Sequence, residues 1–117
     1  MTRLWRACIN TWNGLNFATR SEQAIREELF ALLLAVPLAF LIGTSAARSL
    51  QMIAVVLLLL TVELLNTAIE KLADRVTTDR DPQIGAVKDM GSAAVGVALV
   101  IAGLTWAFAL AERMGLF

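Results

Sequence analysis

Histidine is absent from this sequence and cysteine occurs once. The first absence removes the commonest general base and metal ligand. The second, with Cys8 alone, excludes an intrachain disulfide and a cysteine-based zinc site, and leaves Cys8 as a small apolar packing residue. Charge is scarce too, at 17% of residues, and ten basic side chains balance ten acidic ones. The basic residues form no stripe that could track a phosphate backbone, so a nucleic-acid partner finds no support. No GxxxxGK[ST] or Gly-rich phosphate loop occurs, which excludes a standard soluble nucleotide site. Residues 1–28 lack the continuous apolar core of a cleavable signal, so the chain is expected to be mature from its start.

What the sequence does contain is apolar side chain: 58% of 117 residues, with a mean hydropathy of +0.70. A globule this small cannot hide that much, and a bilayer is the natural solvent. The pattern predicts an all-α membrane protein in a single domain. Leu4, Cys8, Trp12 and Leu15 share one helical face near the N-terminus, with Trp5 and Ile9 beside them, as in an amphipathic helix on a membrane surface. Asn13-Gly14 should loosen or end that helix. Thr19 and Glu22 have the spacing of a capping box for a second helix, and Glu22 and Arg26 that of an i,i+4 pair. Residues 29–47 carry no charge and make a first span, kinked at Pro37, with a short turn over 43–49. Residues 49–73 make the second span, 74–89 a polar loop marked by Asp81-Pro82 and Gly85, and 90–111 the third span. Small residues at Ser92 and Gly96, and at Ala94, Ala98 and Ala102, permit close helix packing in lipid. Three spans shield an acidic site poorly, so self-association is expected. Eight basic residues (Arg3, Arg6, Arg20, Arg26, Lys71, Arg75, Arg80, Lys88) flank one side against Arg48 and Arg113 on the other. That asymmetry puts the N-terminus and the 74–89 loop in the cytoplasm and the C-terminus opposite.

The candidate chemistry grows out of the second span. Glu63, Asn66, Thr67, Glu70 and Asp74 recur at i, i+3, i+4, i+7 and i+11, one face of a helix whose preceding stretch, Met52–Val62, is almost free of polar side chains. Ionisable groups at such depth are costly and point to function. With no histidine or cysteine cluster, any metal must be held by oxygen. Glu22 and Glu70, with Asp74 as a further candidate, suit Mg2+, which is usually bound by one or two carboxylates together with substrate phosphates. Lys88 offers those phosphates a point charge, beside Asp89. Two classes of function fit: phosphoryl transfer from MgATP to a membrane-resident hydroxyl, and a small proton- or cation-coupled transporter cycling Glu63. The acids run outward to one interface rather than sitting at mid-membrane, which favours the first.

The segments Val62-Glu63-Leu64-Leu65-Asn66-Thr67-Ala68-Ile69-Glu70 and Lys88-Asp89-Met90-Gly91-Ser92-Ala93-Ala94-Val95 resemble the prokaryotic diacylglycerol kinase family of small membrane lipid kinases. Thr11-Trp12-x-Gly14-Leu15, the Glu22–Glu28 pattern and Thr105-Trp106 extend the resemblance over nearly the whole chain. It implies a homotrimer of one surface helix and three transmembrane helices per subunit, in the bacterial inner membrane, with sites shared between subunits. It implies Glu63 as general base, Asn66 beside it orienting Glu63 or the acceptor hydroxyl, and Glu22 and Glu70 as the Mg2+ carboxylates. Nucleotide contacts fall on Arg3, Thr11, Glu22, Glu70, Asp79, Asp81, Lys88 and Asp89, and lipid contacts on Trp12, Glu28, Glu63 and Ser92. Thr11 stands where familiar members have serine. The family histidine and arginine of the polar loop are replaced by Asp81 and Ala86, which loosens the nucleoside assignment. The implied reaction converts diacylglycerol to phosphatidic acid, with undecaprenol the alternative acceptor.

Overall fold

The computed structural model describes residues 2–117 as four helices: α1 (Thr2–Ser21), α2 (Gln23–Ile42), α3 (Ala46–Val76) and α4 (Pro82–Arg113). The most extensive packing is α3 against α4, then α2 against α3, while α1 meets the bundle near its own C-terminus. Two small cores hold it. Ala18, Ile25 and Leu60 join α1, α2 and α3 at one end, and Ala39, Met52 and Ala109 join α2, α3 and α4 at the other. At the second core the Trp106 indole N–H donates to the Met52 carbonyl at 3.0 Å, which anchors α4 to α3.

Several boundaries differ from the sequence reading. α1 runs on through Asn13-Gly14. A single helical glycine costs only about 1 kcal/mol, and docking of Ala18 in the first core offsets it. The break falls at Glu22, in extended conformation, and its side chain caps nothing. The Thr19–Glu22 capping box and the Glu22–Arg26 pair therefore do not form. Instead the Arg26 guanidinium donates to the Thr19 and Arg20 carbonyls at 2.8 and 3.2 Å, satisfying acceptors left open where α1 ends. Pro37 lies inside α2 without ending it. α2 stops at Ile42, so the uncharged helical stretch is 29–42 and not 29–47, and α3 begins earlier than expected, capped by the Ser45 hydroxyl. α4 begins at Pro82 because the Asp81 carboxylate accepts from the Gln83 and Ile84 amides and proline suits the first helical position. The loop thus shrinks to 77–81, and Lys88 and Asp89 are helical.

Among the described residues two helices, α3 and α4, are long and apolar enough to cross a membrane. Large apolar side chains such as Leu33, Leu50, Val97 and Leu104 face outward, at 61–69% exposure. A lone chain in water would not tolerate this, whereas lipid or neighbouring helices would cover it.

The end remote from the carboxylates is fastened by close contacts. The buried Ser49 hydroxyl donates to the Ala39 carbonyl at 2.7 Å, and a Cβ at Gly43 would collide with that hydroxyl and lie 2.8 Å from the same carbonyl. Arg48 of α3 donates to Glu112 of α4 at 3.0 Å through Nε, Thr44 donates to the same carboxylate at 2.8 Å, and the guanidinium lies 4.6 Å from the Phe108 ring centroid. Glu112 sits beyond the uncharged 90–111 segment. The hydrogen bonds from Arg48 and then Thr44 hold its carboxyl below the ordinary 4.5.

Two outcomes follow for the folded protein in detergent. Gly43→Ala should destabilise it by about 1–3 kcal/mol, the cost of overpacking a site that cannot yield, read as a lower melting temperature. Glu112→Gln should also melt lower at neutral pH. Because the folded pKa is depressed, that stabilisation is present above 4.5 and is lost as pH falls through the lower folded value, so the two melting curves should converge in acid.

Candidate active site

The acidic stripe is laid down by helical spacing on α3 and varies in burial along its length. Asn66 and Thr67 are buried, Glu63 is half-buried, and Glu70 and Asp74 are exposed. Glu22, at the break between α1 and α2, and Glu28, one and a half turns into α2, face the same region. Glu63 lies within the fields of Glu22, Glu28 and Glu70. One Glu28 carboxylate oxygen is buried without a hydrogen-bond partner. Four carboxylates from three elements therefore share one end of the bundle.

Asn66 is the hinge of this arrangement. Its amide donates to the Glu70 carboxylate at 3.2 Å, one helical turn away, so it orients Glu70 rather than Glu63. Its carbonyl oxygen is buried and unpartnered, pressed against Gly91 of α4. Any side chain at Gly91 would occupy the space of that oxygen, and this is the physical reason the Lys-Asp-Met-Gly segment carries glycine here.

Two lysines balance the acids. Lys71 Nζ lies 2.7 Å from Glu22 Oε1, and Lys88 Nζ 2.6 Å from Asp74 Oδ1. Asp74 is thus an ion-pair partner and not simply a solvated helix end, and Lys88 is held a turn beyond Glu70. Asp81 has a structural task as the α4 cap, while Asp79 lies exposed in the short loop. Thr11 donates to the Ala7 carbonyl at 2.8 Å and lines an apolar groove of about 610 Å³ between α1 and α3, with Leu15, Phe17, Leu64, Thr67 and Lys71. Arg3, Trp12, Asp89 and Ser92 are exposed and take no part in the cluster within one chain. Sequence reasoning did not assign Lys71. Its partner Glu22 lies on another element, and no local spacing could reveal the pair. Gly91 stood inside a recognised motif, but its role depends on where α4 crosses α3.

The donor set answers whether Mg2+ suits this site. Among the described residues no three His, Cys, Asp or Glu side chains converge as a closed metal cage. The available atoms are oxygens, one already paired with a cationic ammonium and another, on Asn66, buried without a donor. That matches a cation held by one or two carboxylates and completed by substrate phosphates.

The prokaryotic diacylglycerol kinase family model matches residues 9–110. The chain is 40% identical to diacylglycerol kinase of Escherichia coli K12 over 114 residues, covering 97% of this chain and 93% of that one. It is 47% identical to the Pseudomonas aeruginosa diacylglycerol kinase over 94 residues, with 80% and 76% covered, and 39% identical to that of Haemophilus influenzae over 106, with 91% and 90% covered. A match over nearly the full length, taking in the helix of acids and its glycine-bearing neighbour, leaves one assignment: the chain belongs to the prokaryotic diacylglycerol kinase family.

Proposed function

We propose that this protein transfers the γ-phosphoryl group of ATP directly to the primary hydroxyl of diacylglycerol, giving phosphatidic acid, at the carboxylate-bearing end of the bundle. The observation that carries the reading is the convergence of Glu22, Glu28, Glu63, Asn66 and Glu70 beside an apolar groove, in a chain of this family. The groove and the surrounding lipid accept acyl chains, while Thr11, Lys71 and the acids offer the head a polar end.

Depth supports the division of labour. Glu63 lies 15 residues from Arg48, ~22 Å along α3, and Glu70 lies ~33 Å from it. With Arg48 at one boundary of a ~30 Å hydrocarbon core, Glu63 falls inside the opposite leaflet, where a glycerol hydroxyl resides. Glu70 falls at the headgroups, where nucleotide arrives. Glu63 is the base, accepting the hydroxyl proton as the bond to phosphorus forms. Phosphoryl transfer has a loose transition state, so positioning and charge neutralisation contribute more than early deprotonation. Lys88, released from Asp74, supplies one positive charge to the phosphates. Glu22 and Glu70 would hold Mg2+, which neutralises developing charge on the phosphate oxygens when bound. Arg3, Thr11, Asp79, Asp89 and the uncommitted oxygen of Asp81 are assigned to nucleotide, and Trp12, Glu28 and Ser92 to the lipid.

The same reading makes α2 the first of three spans. Its uncharged part, 14 residues or ~21 Å long, is short for the hydrocarbon core, so its charged first turns lie within reach of the interface. α1 rests on the cytoplasmic surface of the bacterial inner membrane, and the outward apolar faces of α2, α3 and α4 assemble three copies. Arg3, Asp89 and Ser92, exposed on their own chain, serve a neighbour's site.

Glu63→Gln should lower phosphorylation of diacylglycerol by about 10²–10⁴-fold, the usual worth of a positioned base, while binding of a non-hydrolysable ATP analogue persists. Retained turnover would remove Glu63 as base. Gly91→Ala should push Asn66 off Glu70 and lower activity with the trimeric elution of the protein unchanged; wild-type activity would show that the Asn66–Gly91 contact is unimportant.

A further inference from the structure

Lys71 lines the groove at the acidic end but has no part in the transfer step itself. It follows Glu70 directly on α3, yet its side chain reaches across to the α1–α2 junction, where Nζ meets Glu22 Oε1 at 2.7 Å. The ammonium also stands 5.4 Å from the Phe17 ring centroid on α1. Glu22 can make this contact because its backbone is extended at the helix break and its carboxylate does no capping. Both side chains remain accessible, at 44% and 32% exposure, so the pair can open to solvent and solutes.

Charge explains why a cation sits there. Glu63 lies within the fields of Glu22, Glu28 and Glu70, and like charges gathered in a partly apolar setting destabilise the fold unless balanced. Lys88 does not balance them, since it is held by Asp74 one turn further out. Lys71 does, from a stem attached beside Glu70.

We propose that Lys71 is an internal counter-cation of the metal site, occupying Glu22 when no divalent ion does and competing with that ion for the carboxylate. This rests on the reading of Glu22 as a metal carboxylate. Lys71 is then a positioning residue: it keeps the acids gathered around the α1–α2 break and sets the cation concentration at which the site fills. The ion pair is half-exposed, so the competition is modest, on the order of a few-fold.

The test is Mn2+ binding to the full-length protein in detergent with a non-hydrolysable ATP analogue present, followed by loss of the free-ion EPR signal. Mn2+ takes the same hard oxygen ligands as Mg2+. Lys71→Met keeps the stem and removes the charge, and should tighten Mn2+ about two- to fivefold, with a parallel fall in the Mg2+ concentration that half-activates the kinase. Lys71→Arg, which restores a cation, should bind Mn2+ as the wild type does. Glu22→Gln should weaken binding, and adding Lys71→Met to it should give no further tightening, because the effect acts through Glu22. Unchanged or weaker Mn2+ binding in Lys71→Met, with Glu22→Gln still weakened, overturns the role of Lys71 and leaves the metal site standing. Wild-type binding in Glu22→Gln overturns both.

Discussion

Four carboxylates held at one end of a bundle that is otherwise almost wholly apolar set the terms for the rest of this protein. Each carboxylate would be better solvated in water, and each repels its neighbours. The chain keeps them together by geometry and by counter-charge. α3 fixes Glu63, Asn66 and Glu70 through helical spacing. The break at Glu22 frees a carboxylate from helix duty, and Lys71 crosses between elements to neutralise it. Asn66 ties Glu70 back to the helix while pressing on Gly91, so that the place where α4 crosses α3 and the orientation of an acid are one contact.

The opposite end supplies what the acidic end cannot. Ser49, Gly43 and the Trp106–Met52 hydrogen bond pack α2, α3 and α4 closely, and the Arg48–Thr44–Glu112 group joins the α2–α3 turn to the end of α4. The closest packing thus lies at the end opposite the acids. The acidic end is joined by exposed, exchangeable ion pairs, and α1 reaches the bundle mainly through its last turns. A membrane kinase needs this division, because one substrate enters from the bilayer and the other from water.

Much of this was legible in the sequence. The α-helical class and the polar face on α3 follow from spacing and hydropathy, since both are local properties. Glu22 and Lys88 are expected near that face from their chemistry, and Lys88 does meet its Asp74. What spacing could not give was set by tertiary contact. Asn13-Gly14 stays helical because Ala18 has a core to join. Asp81-Pro82, read as a turn, begins a helix because the carboxylate caps two amides. Glu22 pairs with Lys71 and not Arg26, whose guanidinium is drawn to the carbonyls left open at the end of α1. Asn66 serves Glu70, a choice fixed by Gly91 on a helix some 25 positions later in the chain.

The proposed reaction brings a lipid hydroxyl and ATP together at Glu63. The most direct measurement is to incubate the purified protein in mixed micelles containing both diacylglycerol and undecaprenol with γ-labelled ATP and Mg2+, and to separate the lipids. The account predicts label in phosphatidic acid. Label confined to undecaprenyl phosphate, or absent from both lipids, would contradict it.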